Sequence, residues 1–220
     1  MSRTLDLLIS GLVLIVVSPL LVVVALANWV LSRRVLFRQE RIGRGLRPFT
    51  ILKFQTMTDG GPGGSTVTVA DDRRVTPFGR VLRAVKLDEL PQLINVLRGE
   101  MSLVGPRALT PNEVARVPRE VAAQVYSVRP GMTGLASLVF SDEERTLGVV
   151  TRPEDYYFDV ILPRKMALEG LYVQRKSLWF DVRLLALTPL SILLPGVARR
   201  YLHGMIATHE PSMTVKESIE

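Results

Sequence analysis

The sequence predicts a mainly α-helical protein that contains one small β-hairpin and attaches to a membrane through its N-terminus. Residues 7–27 form an uncharged apolar run, about the length that crosses a bilayer. Several later segments repeat apolar residues at helical spacing, and residues 35–54 combine two β-prone runs around turn glycines. A chain of 220 residues is long enough for one domain with a sizeable core.

The apolar run 7–27 has three interpretations. A membrane-spanning helix fits its length. A cleaved signal peptide fits less well, because the run exceeds the usual apolar core of such peptides and Asp6 interrupts the basic flank. The third is a hairpin that enters the membrane and returns, since Pro19 lacks a backbone donor and Ser18 can bend a helix by bonding the preceding turn. The residues alone leave the spanning helix and the hairpin open.

The flanks of this run bear on its topology. If Pro19 divides the run, residues 5–18 and 19–31 form two arms, each about 20 Å long and shorter than the roughly 30 Å hydrocarbon core. Arg3 precedes the run, and four arginines follow it: Arg33, Arg34, Arg38 and Arg41. Basic residues on both sides are expected if both ends stay on the cytoplasmic side.

Composition narrows the class of partner. The formal net charge of +7 predicts an anionic partner such as nucleic acid, anionic lipid or a phosphorylated small molecule. Nucleic acid is disfavoured, because apolar segments compete for the same surface and aromatic residues make up 6% of the chain. The absence of cysteine excludes disulfides and thiolate sites.

The elements after the apolar run follow from local patterns. Residues 35–54 predict a hairpin with a loose turn at Gly43 and Gly45. Residues 59–65 form a glycine-rich flexible loop by composition. Further helices are expected at 75–86, at 112–127, at 153–173 with a break at Pro163, and at 178–194. The last of these is amphipathic and suits either a membrane interface or the core, and residues 196–220 resemble a weakly ordered polar tail.

Residues 88–99 predict a helix that starts with two carboxylates. Four apolar residues recur at helical spacing: Leu90, Leu93, Ile94 and Leu97. Gly99 is a plausible C-terminal stop. Asp88 and Glu89 therefore fall at the helix N-terminus, where the dipole stabilises carboxylates and gives the pair a purely structural explanation.

The surroundings of the acidic pair suggest chemistry instead. Asp88 and Glu89 stand among four cations: Arg80, Arg83, Lys86 and Arg107. Arginine suits phosphate oxygens, because its planar fork donates two parallel hydrogen bonds. Successive helical residues point about 100° apart, so the two acids are expected to play different roles. One would reach a phosphorus atom while the other holds a divalent cation.

An ordered series of motifs adds a family resemblance. In chain order these are "RTLD", the apolar segment with Ser18-Pro19, "LFRQERIGRG", "FTILKFQTM", "TPFGRVLRAVKLDELPQLINVLRGEMSLVGPR" and "RPGMTG". Together they cover about residues 3–190, and the long central block is highly specific. The chain resembles the bacterial sugar transferase family, the monotopic phosphoglycosyl transferases that load a sugar phosphate onto polyprenyl phosphate.

The resemblance implies an architecture and a set of site residues. The fold would have a re-entrant helix-break-helix at 1–34, a cytoplasmic-face catalytic domain with interfacial helices at 35–195, and the tail at 196–220. Asp88 would be the nucleophile, and Glu89 the neighbouring carboxylate that helps to hold Mg²⁺. Four basic residues lie in matching motifs: Lys53, Arg83, Arg107 and Arg129. Of these, Arg83 and Arg107 would engage phosphates.

The resemblance also implies partners and a location. The partners would be polyprenyl phosphate, the membrane and a nucleotide diphosphate sugar whose base is expected to be uridine. No nucleic acid partner is expected. The active site would face the cytoplasm at the bacterial inner membrane. The alternative is a non-catalytic membrane-bound adaptor that binds phosphorylated lipid. Four departures from the usual family pattern leave the sugar and the base open: Gln55, Glu100, Ala108 and 135–137. The lipid length and the oligomeric state are open as well.

Overall fold

The architecture is described from a computed structural model for residues 2–58, 68–70 and 72–207. The glycine-rich loop predicted at 59–65 lies outside these residues. The described part is mainly helical. Its helices are α1 (Arg3–Ser32), α2 (Pro77–Ala84), α3 (Gln92–Arg98), α4 (Pro111–Val114), α5 (Arg119–Val125), α6 (Leu135–Val139), α7 (Glu143–Gly148), α8 (Pro153–Tyr156), α9 (Leu162–Arg175), α10 (Leu178–Leu193) and α11 (Pro195–Ala207).

Two small strand pairs accompany the helices. Strands β1 (Leu36–Ile42) and β2 (Pro48–Phe54) pair antiparallel and confirm the predicted hairpin. Its turn needs Gly45, whose φ of 67° lies in the left-handed region that glycine adopts at little cost. The second pair, β3 (Ser102–Val104) and β4 (Gly131–Thr133), is parallel and joins two segments distant in the chain.

Helix α1 is unbroken through Pro19, so the predicted break is not seen. The physical reason is local. Pro19 has no N–H for the carbonyl of Ile15, four residues earlier, and the Ser18 hydroxyl donates to that same carbonyl at 2.8 Å. The serine replaces the donor that the proline removes, which confirms the expected bond from Ser18 to the preceding turn. The helix can therefore continue through a residue that usually interrupts one.

Both ends of α1 contact the rest of the chain on one side. Near its start, the carboxylate of Asp6 accepts from the Ser102 hydroxyl at 2.8 Å and from the Leu103 N–H at 3.1 Å. Near its end, Val24 packs with Phe54 and Leu82. The opposite side is apolar and solvent-exposed along the helix: Leu8, Leu12, Ile15, Val16, Val22, Val23, Leu26, Val30 and Leu31. This helix has the length and hydropathy of a membrane segment.

The main core lies where β3, β4, α6, α9 and α10 meet. Its largest fully buried side chains include Tyr172 and Leu184. Helix α10 buries Leu184 and Leu187 there while Trp179 and Val182 stay exposed on its other face. The two interpretations of this segment therefore describe its two faces, one in the core and one available to a membrane interface.

Three predicted elements need correction. The helix expected at 112–127 is two helices, α4 and α5, because Pro118 begins a new one. Pro163 does not break its segment: it sits in the first turn of α9, where a missing donor costs little, and follows a π-helical turn at Tyr157–Ile161. The tail predicted to be weakly ordered from 196 forms α11, which packs on α10, while 208–220 lie outside the described residues.

Helix α11 has an apolar face that the composition of the tail concealed. Ala198, Leu202 and Met205 are buried at helical spacing. Leu202 and Met205 join the main core, and Arg199 pairs with Asp142 just before α7. Burial of these side chains stabilises the helix beyond what its local sequence indicates.

Candidate active site

Asp88 and Glu89 lie in a tight turn between α2 and α3, not in the first turn of a long helix. Lys86 adopts a left-handed conformation with φ 57°, and residues Leu87–Glu89 form a single 3₁₀ turn. Helix α3 begins only at Gln92 and ends at Gly99, whose φ of 85° confirms the predicted stop. The two carboxylates therefore lie in one turn, while the different roles expected of them stay a prediction.

Asp88 is buried and incompletely satisfied. The residue is 8% exposed, and its Oδ1 has no hydrogen-bond partner among the described residues. Burial and the neighbouring charge of Glu89 raise the pKa of Asp88, although Lys53, Lys86 and Arg83 oppose the rise. A carboxylate oxygen without a hydrogen-bond partner is free to act as a nucleophile toward a phosphorus centre.

Glu89 is the electrostatic opposite of its neighbour. Its Oε1 accepts from Lys53 Nζ at 2.7 Å and from Arg107 Nη2 at 2.9 Å. Burial disfavours its charge, but Arg107 and Lys53 outweigh burial and hold the pKa of Glu89 well below its usual range. Lys53 projects from β2, and Arg107 follows β3, so the fold brings three distant segments together at this carboxylate.

The two cations respond differently to this shared acid. Burial lowers the pKa of Lys53, and the attraction of Glu89 only partly offsets that effect. Glu89 raises the pKa of Arg107 instead, so the guanidinium is positive under all ordinary conditions. The permanent charge of Arg107, with a side chain one-third exposed, suits it to meet an anion from solution.

Arg83 is a cation that acts on Asp88 and pairs with an exposed acid. It comes from the last turn of α2 and pairs through Nη2 with Glu144 on α7, while Nη1 lies 3.4 Å from the sulfur of Met57. The Glu144 side chain is 51% exposed. The acid of this pair is therefore open to replacement by a competing anion, whereas the Glu89 carboxylate, 15% exposed, is not.

Arg129 lies at the far end of α3 from the acidic pair. Its Nε donates to the Gly99 carbonyl at 2.9 Å. Arg3 donates to the neighbouring carbonyls of Val96 and Leu97 at 2.7 and 3.0 Å. Two arginines thus satisfy the carbonyls that the C-terminus of this helix leaves free. A seven-residue helix is about 10 Å long, so this contact lies about that far from Asp88.

Three further buried residues complete the site and escaped the sequence reasoning. The backbone N–H of Arg107 donates to Glu169 on α9, and the Tyr126 hydroxyl donates to the Arg107 carbonyl. Gln92, at the start of α3, has an amide that is 1% exposed and unpartnered among the described residues. A usable signal was the acid Glu169 inside the apolar stretch of α9, since a buried carboxyl there requires a partner.

The acidic pair has a donor set that fits magnesium. Among the described residues no cluster of three or more metal-ligating side chains occurs. Magnesium commonly needs only one or two carboxylates, because water and substrate phosphates complete its coordination. Asp88 has a free Oδ1, and Glu89 Oε2 receives a longer contact of 3.4 Å from Arg107 Nη1. Both carboxylates therefore retain acceptor capacity for a cation that arrives with its substrate.

Comparison with known proteins identifies the family of this chain. A family model described as bacterial sugar transferase matches residues 1–195. The chain is 42% identical over 199 residues to the UDP-glucose:undecaprenyl-phosphate glucose-1-phosphate transferase of Caulobacter vibrioides, covering 87% of this chain and 69% of that protein. It is 35% identical to the exopolysaccharide production protein ExoY of Sinorhizobium fredii, covering 82% of this chain and 80% of that protein.

Relatives differ in length and in the sugar that they are named for. The chain is 34% identical to the UDP-N-acetylgalactosamine-undecaprenyl-phosphate N-acetylgalactosaminephosphotransferase of Aeromonas hydrophila. This match covers 90% of the chain but 45% of that protein, so the chain spans less than half the length of this relative.

Proposed function

This chain belongs to the bacterial sugar transferase family of phosphoglycosyl transferases, and we propose that it transfers a sugar 1-phosphate from a uridine diphosphate sugar to undecaprenyl phosphate. The observation that carries this proposal is the unpartnered, buried oxygen of Asp88. Asp88 lies near two sets of ion pairs. One is the buried set that Glu89 forms with Lys53 and Arg107, and the other is the pair of Arg83 with the exposed acid Glu144. The product would begin the synthesis of a lipid-linked glycan.

Asp88 acts as the nucleophile in this mechanism. Its carboxylate attacks the sugar-bearing phosphorus, a new bond forms between phosphorus and the carboxylate oxygen, and the bond to uridine monophosphate breaks. Undecaprenyl phosphate then attacks the same phosphorus and releases the carboxylate. A carboxylate requires no base to deprotonate it at neutral pH, although the raised pKa of Asp88 brings its protonation closer to that range.

The cations around Asp88 offset the negative charge of the reacting groups. Arg107 holds a permanent charge, and Arg83 can leave the exposed Glu144 for a phosphate oxygen. When bound, magnesium would neutralise the diphosphate, held by Glu89 with Asp88 close by. Lys53 keeps Glu89 ionised and oriented through their contact of 2.7 Å.

The two-step mechanism has a direct chemical test. Purified protein is incubated with Mg²⁺, undecaprenyl phosphate and a panel of uridine diphosphate sugars, and uridine monophosphate is measured. UDP-glucose is the first donor to test, since the relative from Caulobacter is named for it. With donor alone, rapid acid quenching and mass spectrometry should find the mass of one sugar phosphate on the peptide that contains Asp88. Release of no uridine monophosphate from any donor would favour the lipid-binding adaptor.

We also propose that α1 associates with the membrane without crossing it and that the active site faces the cytoplasm at the inner membrane. The support is that α1 contacts the catalytic domain at both ends, through Asp6 and through Val24. A helix that crossed the membrane would carry one end away from that domain. The exposed apolar side of α1 would contact lipid, although the helix does not cross the bilayer.

Topology can be tested with single cysteines, because the chain has none of its own. Ser2→Cys and Ser127→Cys replace exposed residues before and after α1. In right-side-out and inverted membrane vesicles, an impermeant thiol reagent should label both positions in the inverted preparation. Labelling of the two positions in opposite preparations would mean that α1 spans the membrane.

A further inference from the structure

The main chain at Arg107 is fixed from both sides. Its carbonyl accepts from the Tyr126 hydroxyl at 2.9 Å, and its N–H donates to Glu169 Oε1 at 3.0 Å. The Tyr126 hydroxyl in turn accepts from the Leu109 N–H at 3.2 Å. Arg107 also bridges Gly131 in β4. These supports determine where the guanidinium of Arg107 stands relative to Glu89.

Glu169 is the only carboxylic acid among these supports in the described part of the chain. It is completely buried, and its Oε2 has no hydrogen-bond partner among the described residues. Burial raises the pKa of Glu169 to about 7, although the Arg107 N–H and the charges of Lys165 and Arg107 favour its ionised form. Such a carboxyl carries a proton for part of the time at neutral pH.

The groups that face Glu169 define its charge balance. Lys165 lies one turn earlier on α9, and Arg107 lies across from it after β3. Tyr126, at the end of α5, and Tyr172, on α9, stay neutral because burial raises the pKa of both hydroxyls. Helix α6, which also packs on α9, carries no titratable residue. The Arg107 N–H and these two cations therefore offset part of the effect of burial on the Glu169 charge.

We propose that Glu169 is a positioning residue for the transfer reaction, which holds Arg107 through its main-chain N–H and takes up a proton when an anionic donor binds. The proposal rests on the proposed function, since it places the donor diphosphate at Arg107. The guanidinium favours ionised Glu169, and a bound diphosphate cancels part of that attraction. Proton uptake must then accompany binding, and by linkage the donor binds less tightly as the pH rises through 7.

Two substitutions separate these roles. Glu169→Gln keeps an oxygen acceptor for Arg107 but cannot titrate, whereas Glu169→Ala removes both functions. We expect the KM of the full-length enzyme for its donor to rise at least threefold from pH 6 to pH 8, and the Glu169→Gln enzyme to show a flat profile. The Glu169→Ala enzyme should lose at least tenfold in kcat at every pH. Glu120→Gln, on exposed α5 surface, is the matched control and should keep the original profile.

Hydrogen–deuterium exchange provides a readout without turnover. In Glu169→Ala, the Arg107 amide should exchange at least tenfold faster, while Glu169→Gln should change this rate less than threefold. Unchanged exchange in Glu169→Ala would overturn the positioning role, and so would a kcat loss in Glu169→Gln equal to that of Glu169→Ala. A pH-independent KM of the original chain would overturn proton uptake. If the original chain releases no uridine monophosphate, the proposed function fails, and the exchange rates alone decide the positioning of Arg107.

Discussion

The two sides of Asp88 carry ion pairs of opposite character. On the inner side, Glu89 accepts from Lys53 and Arg107, and the Glu89 and Lys53 side chains are 15% and 17% exposed. On the outer side, Arg83 pairs with Glu144, of which half is exposed to solvent. The inner group joins the hairpin, the 3₁₀ turn and the segment after β3, whereas the outer pair joins α2 to α7.

This difference separates fixed from exchangeable charge. Breaking the contacts of a buried acid with two cations leaves uncompensated charge, so the inner group holds its geometry. An exposed pair contributes at most about 1 kcal/mol, and a phosphate can replace its carboxylate at little cost. In the proposed mechanism, Glu89 and Lys53 therefore form the fixed frame beside Asp88, while Arg83 can exchange its exposed carboxylate for a phosphate.

The largest effect is expected at the residue between the two sides. Asp88→Asn should lower transfer by roughly four or more orders of magnitude, because an amide is a poor nucleophile. Donor binding should persist or tighten, since one negative charge facing the diphosphate is gone. Uridine monophosphate release and donor binding by calorimetry measure the two properties. Substantial turnover by a preparation confirmed free of deamidation would remove Asp88 from its assigned role.

Removal of the inner acid should damage the fold itself. Glu89→Ala leaves Lys53 and Arg107 facing each other without a counter-charge, which should destabilise the protein by about 3 kcal/mol. Glu89→Gln should cost less, weaken the Mg²⁺ dependence and slow both half-reactions, because an amide oxygen is a poorer ligand for a hard cation. Denaturant unfolding in micelles measures the stability. A Glu89→Ala protein as stable as the original would contradict the assignment of a fixed inner group.

The raised pKa of the buried acid Glu169 should make the stability of the protein depend on pH. A folded pKa of about 7 against an ordinary 4.5 means that the folded state holds a proton between these values and the unfolded state does not. Stability should therefore fall as the pH rises from 4.5 to 7, by about 3 kcal/mol from this group alone. The lowered pKa of Glu89 acts in the other direction, but only below pH 4.5.

The comparison with Glu169→Gln isolates this contribution. Unfolding of the two proteins at pH 5, 6, 7 and 8 should give a difference that grows with pH up to about 7 and is then constant. A difference that is constant over the whole range would mean that Glu169 does not change protonation between the folded and unfolded states.

The smallest change in stability is expected at the outer pair. Glu144→Gln should alter unfolding by less than about 1 kcal/mol and lower the donor KM up to about fivefold, because Arg83 no longer has a competing carboxylate. Asp155→Asn is the control, since it removes an exposed carboxylate that pairs with Arg152, far from Asp88 in the chain. A large loss of stability, or a raised donor KM, in Glu144→Gln would show that Glu144 supports Arg83 rather than competing for it.

The sequence by itself determined the elements that depend on local chemistry. The hairpin follows from two β-prone runs around Gly45, which supplies the left-handed turn. The stop of α3 at Gly99 and the apolar character of α1 follow from residue types alone. Adjacent Asp88 and Glu89 in a basic stretch already indicated phosphate chemistry, and the ordered motifs identified the family.

Only the tertiary structure decided which charge meets which. Arg83 and Glu144 are 61 residues apart, and Arg107 and Glu169 are 62 apart, so no local pattern pairs them. Four basic residues in the motifs looked alike, yet Arg129 binds the end of α3 while Lys53 and Arg107 bind Glu89. Packing of the helices fixes these distances, and burial then decides the protonation of each acid. The sequence shows which charged residues are present. The free energy of each charge depends on the neighbours and the solvent exposure that the fold gives it.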